Sequence, residues 1–104
     1  MMIQFNTDNI ISGNKEYTAP LETLIAEQLQ RFEEYISRIE VHLGDENSHK
    51  QGTDDIRCMI EARLEGFQPV AVTNHSDDQY YAVKGAIDKL KSVLDTKLGK
   101  LRSR

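Results

Sequence analysis

A chain of 104 residues is long enough for one domain and too short for two. With 38% hydrophobic and 29% charged residues it has a core-forming composition, and its apolar residues recur periodically, which excludes a disordered chain. No apolar run approaches the roughly 18 residues of a membrane span, the N-terminus lacks the basic and apolar regions of a signal peptide, and the single cysteine excludes an internal disulfide. A cytoplasmic protein of one domain, residues 1–104, is the expectation.

The formal net charge of −4 argues against nucleic acid when taken alone. Its distribution argues differently. Residues 1–36 carry two basic and six acidic groups, residues 37–76 four and seven, and residues 77–104 seven and four. The last segment is therefore net +3, and a partner meets a local field, not a total.

In chain order, Met2 to Asn6 alternates around Ile3 and Phe5 and reads as a short strand. Thr7 to Lys15 is rich in turn residues. Thr18-Ala19-Pro20 signals a helix start, because the missing proline N–H costs nothing in a first turn. Leu21, Leu24, Ile25, Leu29, Phe32 and Ile36 then share one face, which predicts a helix over 19–36. Residues 37–46 alternate with Ile39, Val41 and Leu43 inward. A polar stretch from Gly44 to Thr53 predicts a hairpin loop. Residues 54–65 alternate again, with Ile56, Cys58, Ile60, Ala62 and Leu64 inward. Gly66-Phe67 marks a tight turn, and Pro69 places the strand at 70–74 on an edge or at a strand start. Ser76-Asp77-Asp78 caps a final helix, whose stripe is Val83, Ile87, Leu90, Leu94, Leu98 and Leu101.

The order is β-α-β-β-β-α. Two amphipathic helices need an apolar surface, and a four-stranded sheet with one apolar face supplies it. The expected fold is α+β, with both helices on one face. The plan is similar to that of double-stranded-RNA-binding domains. The other face would carry Arg38, Glu40, His42, Arg57, Glu61 and Arg63.

Chemistry-bearing motifs are missing. His42, His49 and His75 pair with no other histidine or cysteine at metal-ligand spacing, so no metal is expected. The glycines form no phosphate loop, and the serines lie in no nucleophile elbow. No enzyme, cofactor or small-molecule substrate is indicated. The contrast is the final helix. Lys84, Lys89, Lys91, Lys97, Lys100, Arg102 and Arg104 fall within a stretch holding only Asp88 and Asp95 as acids. Lys84 and Lys91 flank one side of the leucine stripe, and Lys89, Lys97 and Lys100 the other. Such a helix reads either as a solvated amphipathic surface or as a phosphate-backbone contact line.

The run Tyr80-Tyr81-Ala82-Val83-Lys84-Gly85-Ala86-Ile87-Asp88-Lys89-Leu90 resembles the "Y-x-A-I-D-x-x-I-D-K-L" helix of the ribosome hibernation-promoting factors. That family includes the ribosome-associated translation inhibitor and the proteins once called sigma-factor modulation proteins. Asp78 matches the acid before that helix. Phe32-Glu33-Glu34-Tyr35-Ile36-Ser37-Arg38-Ile39 is similar to the family's "L-x-x-Y-F-x-R-I" passage, and Asn9 stands at its "G-H-N" turn. The resemblance implies a short-form, non-enzymatic protein with the small ribosomal subunit as partner. It would occupy that subunit, contact ribosomal RNA, inhibit translation and promote hibernation under stress or in stationary phase. Lys84, Lys89, Lys91, Lys97, Lys100 and Arg102 become the expected RNA contacts, with Tyr80 stacking or packing at the helix start. The family's first helix carries lysines, whereas Glu22, Glu27, Glu33 and Glu34 stand here against Arg31, and Ser92 and Asp95 enter the second half of the last helix. Those acids support an alternative: a related domain that has lost RNA binding and acts as a protein-interaction module.

Overall fold

The computed structural model describes residues 1–7, 15–45 and 56–102, with side chains from Thr18 onward in the first helix and up to Gly99 in the last. The elements are β1 (Met2–Thr7), α1 (Lys15–Gln28), a 3-10 turn (Gln30–Phe32), β2 (Ile36–Asp45), β3 (Ile56–Leu64), β4 (Val70–Ser76) and α2 (Gln79–Arg102). The sheet runs β1-β2-β3-β4 in chain order. β2, β3 and β4 form an antiparallel meander. β1 pairs parallel to β2, which demands a crossover, and α1 supplies it. The expected α+β architecture is the one observed. The turn after β1 and the hairpin loop after β2 fall outside the described residues, as do Asn9 and His49.

The first helix differs most from its sequence pattern. It begins at Lys15 instead of beside Pro20, so the proline lies inside it and one ladder bond near the N-terminal end is forgone. It ends at Gln28, not at Ile36. Leu29 leaves helical geometry at φ −104° and ψ 8°. The chain then tightens, with Phe32 N–H donating to Leu29 O at 2.9 Å and Tyr35 N–H to Phe32 O at 2.9 Å. The spacing of Leu29 and Phe32 suits both helix types, because residues three apart eclipse in a 3-10 turn. Both side chains stay in the core, and Ile36 continues it as the first residue of β2, opposite Leu64. A register shift between Ile36 and Arg38 follows, where Ser37 Oγ donates to Arg63 O at 3.2 Å.

Alternation decides the two sheet faces. Ile39, Val41 and Leu43 of β2, and Cys58, Ile60, Ala62 and Leu64 of β3, are buried beneath the helices. Burial pushes the Cys58 thiol up to about 12, against a smaller lowering by Arg57, so this cysteine is a core group and no nucleophile. On the outer face the cross-strand register sets Arg38 opposite Arg63 and Glu40 opposite Glu61. Like charges directly opposed would repel. One diagonal and two contacts along the strands resolve this: Arg63 reaches Glu40 across the strands at 3.4 Å and Glu61 along β3 at 3.3 Å, Arg38 reaches Glu40 along β2 at 3.2 Å, and Arg38 also donates to Gln4. This quartet is electrically balanced.

α2 packs over β3 and β4, while α1 lies against β1 and the side of α2. One contact fixes α2 on β4. Asn74 Nδ2 donates to Tyr81 O at 3.3 Å and to Ala82 O at 3.1 Å, reaching across Gly85. A Cβ at Gly85 would stand 2.2 Å from that nitrogen. In an open helix Gly→Ala gains about 1 kcal/mol. Here the sign should reverse, since overpacking costs about 1–3 kcal/mol. Urea unfolding of Gly85→Ala is expected to show lower stability, and combining it with Asn74→Ala should cost less than the sum of the single changes. A stabilised Gly85→Ala protein would refute the clamp.

Candidate nucleic-acid interface

α2 starts where its cap residues dictate. Asp78 Oδ2 accepts from Tyr81 N–H at 3.1 Å, and Ser76 Oγ accepts from Asp78 N–H at 3.4 Å. Ala82, Val83, Ala86, Ile87, Leu90, Leu94 and Leu98 are buried, which sets the rotation of the helix. The polar residues on its two flanks therefore meet different neighbours.

On the α1 side, Lys84, Asp88, Lys91 and Asp95 recur at i, i+4, i+7 and i+11. Lys84 Nζ lies 3.5 Å from Asp88 Oδ2. Lys91 Nζ donates to Gln28 Oε1 of α1 at 3.0 Å. Asp95 accepts from Arg31 at 2.8 Å, and the same guanidinium lies 4.4 Å from the centroid of Phe32. On this flank Lys84 and Arg31 face acids, whereas Lys91 rests on a neutral amide oxygen. Asp95 interrupts the basic run in sequence, yet in space it answers the arginine of the 3-10 turn.

The β4 side is different. Lys89 Nζ donates to Thr73 O at 2.8 Å, and Lys97 Nζ lies 3.5 Å from Gln68 O. Both acceptors are neutral carbonyls, Thr73 O on the edge strand β4 and Gln68 O in the connection just before it. Lys89 thus occupies the hydrogen-bonding rim of the edge strand and Lys97 its approach, and neither pairs with an acid among the described residues. The expected division of lysines into two flanks is what the helix shows for Lys84, Lys89, Lys91 and Lys97. Lys100 and Arg102 belong to α2, but their side chains lie outside the described residues, as does Arg104 altogether.

Tyr80 is exposed at the head of the helix, and Tyr81 more so, at 61%. Their rings meet edge to face with centroids 5.1 Å apart. The family-like pattern drew attention to Tyr80 and passed over Tyr81, which stands at its variable position. Asn74, Gln28 and Gln68 also went unmarked, because only tertiary packing brings them to α2.

Other surfaces offer less. Asn6, His42, Asp45 and Arg57 line an open depression at one end of the sheet. Among the described residues no group of three histidine, cysteine or acidic side chains could hold a metal, and no helix is long and apolar enough to cross a membrane.

Comparison with known proteins fits this geometry. Residues 9–102 match the family described as sigma 54 modulation protein / S30EA ribosomal protein. The chain belongs to that family. No curated protein matches it. Among solved structures it is similar to the N-terminal domain of Protein Y from Thermus thermophilus, with 21% identity and a TM-score of 0.71 over 92% of this chain and 98% of that one. It is also similar to a ribosomal subunit interface protein from Coxiella burnetii, with 21% identity and a TM-score of 0.64 over the whole of both chains. At such identities these likenesses establish the fold.

The Arg31–Asp95 pair joins two half-exposed side chains, so screening limits its contribution to about 0.2–1 kcal/mol. A double-mutant cycle on Arg31→Ala and Asp95→Ala should give coupling in that range at low salt and close to none in molar salt. Coupling well above about 2 kcal/mol at high salt would mean that the pair holds the 3-10 turn in place.

Proposed function

We propose that the protein is a non-enzymatic ribosome-binding factor of the cytoplasm that docks on the small subunit through ribosomal RNA phosphates. Occupying that subunit, it inhibits translation and promotes ribosome hibernation. Family membership supports the ribosome as partner. The observation that carries the orientation is the pair Lys89 and Lys97, held on neutral carbonyls at the β4 edge. Phosphate contacts need charge in a fixed place and little sequence information. A lysine already paired with an acid must give up that partner first; one resting on a carbonyl does not. Lys100 extends the same flank by its helical spacing. Lys84 and Lys91 on the other flank, Arg102 near the end of α2, and Tyr80 at the helix start would contribute at the margin of the contact.

The exposed Glu27, Glu33 and Glu34 lie toward the opposite side of the molecule, on α1 and just after it. Phosphates would be repelled there, so α1 would face away from RNA. These same acids favour the competing reading, a domain that has lost RNA binding and takes a basic protein partner. The two readings diverge on salt. Purified folded protein should co-sediment with small subunits at low salt, be released as salt rises, and slow translation in a reconstituted system. Sedimentation that is absent at every salt concentration would reject the ribosome reading. Capture of a basic protein, abolished by charge reversal of Glu27, Glu33 and Glu34, would then support the alternative.

A further inference from the structure

The lysines at the β4 edge belong to a longer row. Tyr81, Gly85, Lys89, Val93 and Lys97 recur every fourth residue, which makes them one ridge of α2. At 1.5 Å per residue the ridge spans about 24 Å. It begins with an aromatic ring. It ends where Lys97 meets Gln68 O, and Gln68 is the neighbour of Phe67, a second exposed aromatic residue. Val93 between the two lysines is exposed as well. Cationic and open apolar groups therefore alternate along a single line.

Both aromatic residues are held. The backbone N–H of Tyr81 is taken by Asp78 Oδ2 and its carbonyl by Asn74 Nδ2, while its ring is braced against Tyr80. At the other end Gly66 adopts φ 80°, a conformation costly for any residue with a Cβ, and this sets the turn that presents Phe67. The cap and the clamp hold Tyr81 in place and the Gly66 turn holds Phe67, so two exposed aromatic residues flank the lysines, an arrangement suited to a ligand with flat apolar faces and negative charge. Duplex RNA hides its bases in a stack and offers phosphates and 2′-hydroxyls. Single-stranded RNA offers phosphates for the lysines and open base faces for the rings.

We infer that the α2 ridge is a single-strand RNA track, with Lys89 and Lys97 on phosphates of one strand and with Tyr81 and Phe67 each stacking an unpaired base. This rests on the ribosomal RNA reading above and narrows it to an unpaired segment. It also departs from the duplex-binding plan that the sheet and two helices suggest.

The test uses the full chain and a fluorescent RNA of about 12 nucleotides without self-complementarity, a length within the range that single-strand grooves cover. The same strand annealed to its complement is the second probe. Wild-type protein should bind the single strand more tightly than the duplex. Tyr81→Ala and Phe67→Ala should each weaken single-strand binding by about tenfold, with an unchanged salt slope, and Tyr81→Phe should retain it. Circular dichroism of each variant reports whether the fold is intact. Duplex binding equal to or tighter than single-strand binding would overturn the inference. So would alanine variants that bind the single strand like wild type, including the case where they alter only self-association. Either result leaves the ribosomal RNA reading standing if wild-type binding is salt-sensitive. No binding to either probe by a protein that also fails to sediment with small subunits would remove both.

Discussion

The burial of one face of α2 is the constraint from which the rest follows. Val83, Ile87, Leu90, Leu94 and Leu98 are shielded from water on β3 and β4, and each such side chain contributes about 1.5–3 kcal/mol. Turning the helix by a single position would expose several of them. Ala82 and Ala86 keep the helix close to the sheet, and the Asn74 contact across Gly85 fixes it along β4. With rotation and position set by apolar packing, the polar residues have no freedom to choose their neighbours. Lys89 and Lys97 meet the edge of β4 because Leu90 and Leu94 must face the core.

This explains how an acidic protein can present a cationic surface. The net charge of −4 is a sum over faces that point different ways. On the outer sheet face Arg38, Arg63, Glu40 and Glu61 balance each other. On the α1 side of α2, Lys84 meets Asp88 and Asp95 meets Arg31. Along the β4 edge the lysines rest on carbonyls. Under the proposed function such an uneven charge distribution would orient the protein during approach to ribosomal RNA, because steering acts before contact.

Much of the architecture was legible in the sequence, since the alternation of residues 38–43 and 56–64 and the stripe of α2 each follow one physical period. The end of α1 was not. Leu29, Phe32 and Ile36 continue a helical stripe, and nothing local distinguishes it from a 3-10 turn leading into a strand. The α2 lysines were identifiable from local charge, and their division into two flanks from helical spacing. Spacing cannot say which lysine meets a carbonyl of another element, because Thr73, Gln68 and Gln28 lie far away in the chain. Tyr81 stayed hidden for a related reason: its significance lies in exposure and in the side chains of Asp78 and Asn74, which only the folded chain brings together.

The central claim is that the two flanks of α2 are inequivalent, and the salt dependence of RNA binding measures this directly. Each phosphate contact to a single strand adds about 0.7 to the slope of log affinity against log salt. Replacing Lys89 and Lys97 together by glutamine should lower the magnitude of that slope by about 1.4. Replacing Lys84, which is paired with Asp88, should lower it by less than half the loss per lysine. An equal or larger loss from Lys84 than from each β4-side lysine would contradict the account.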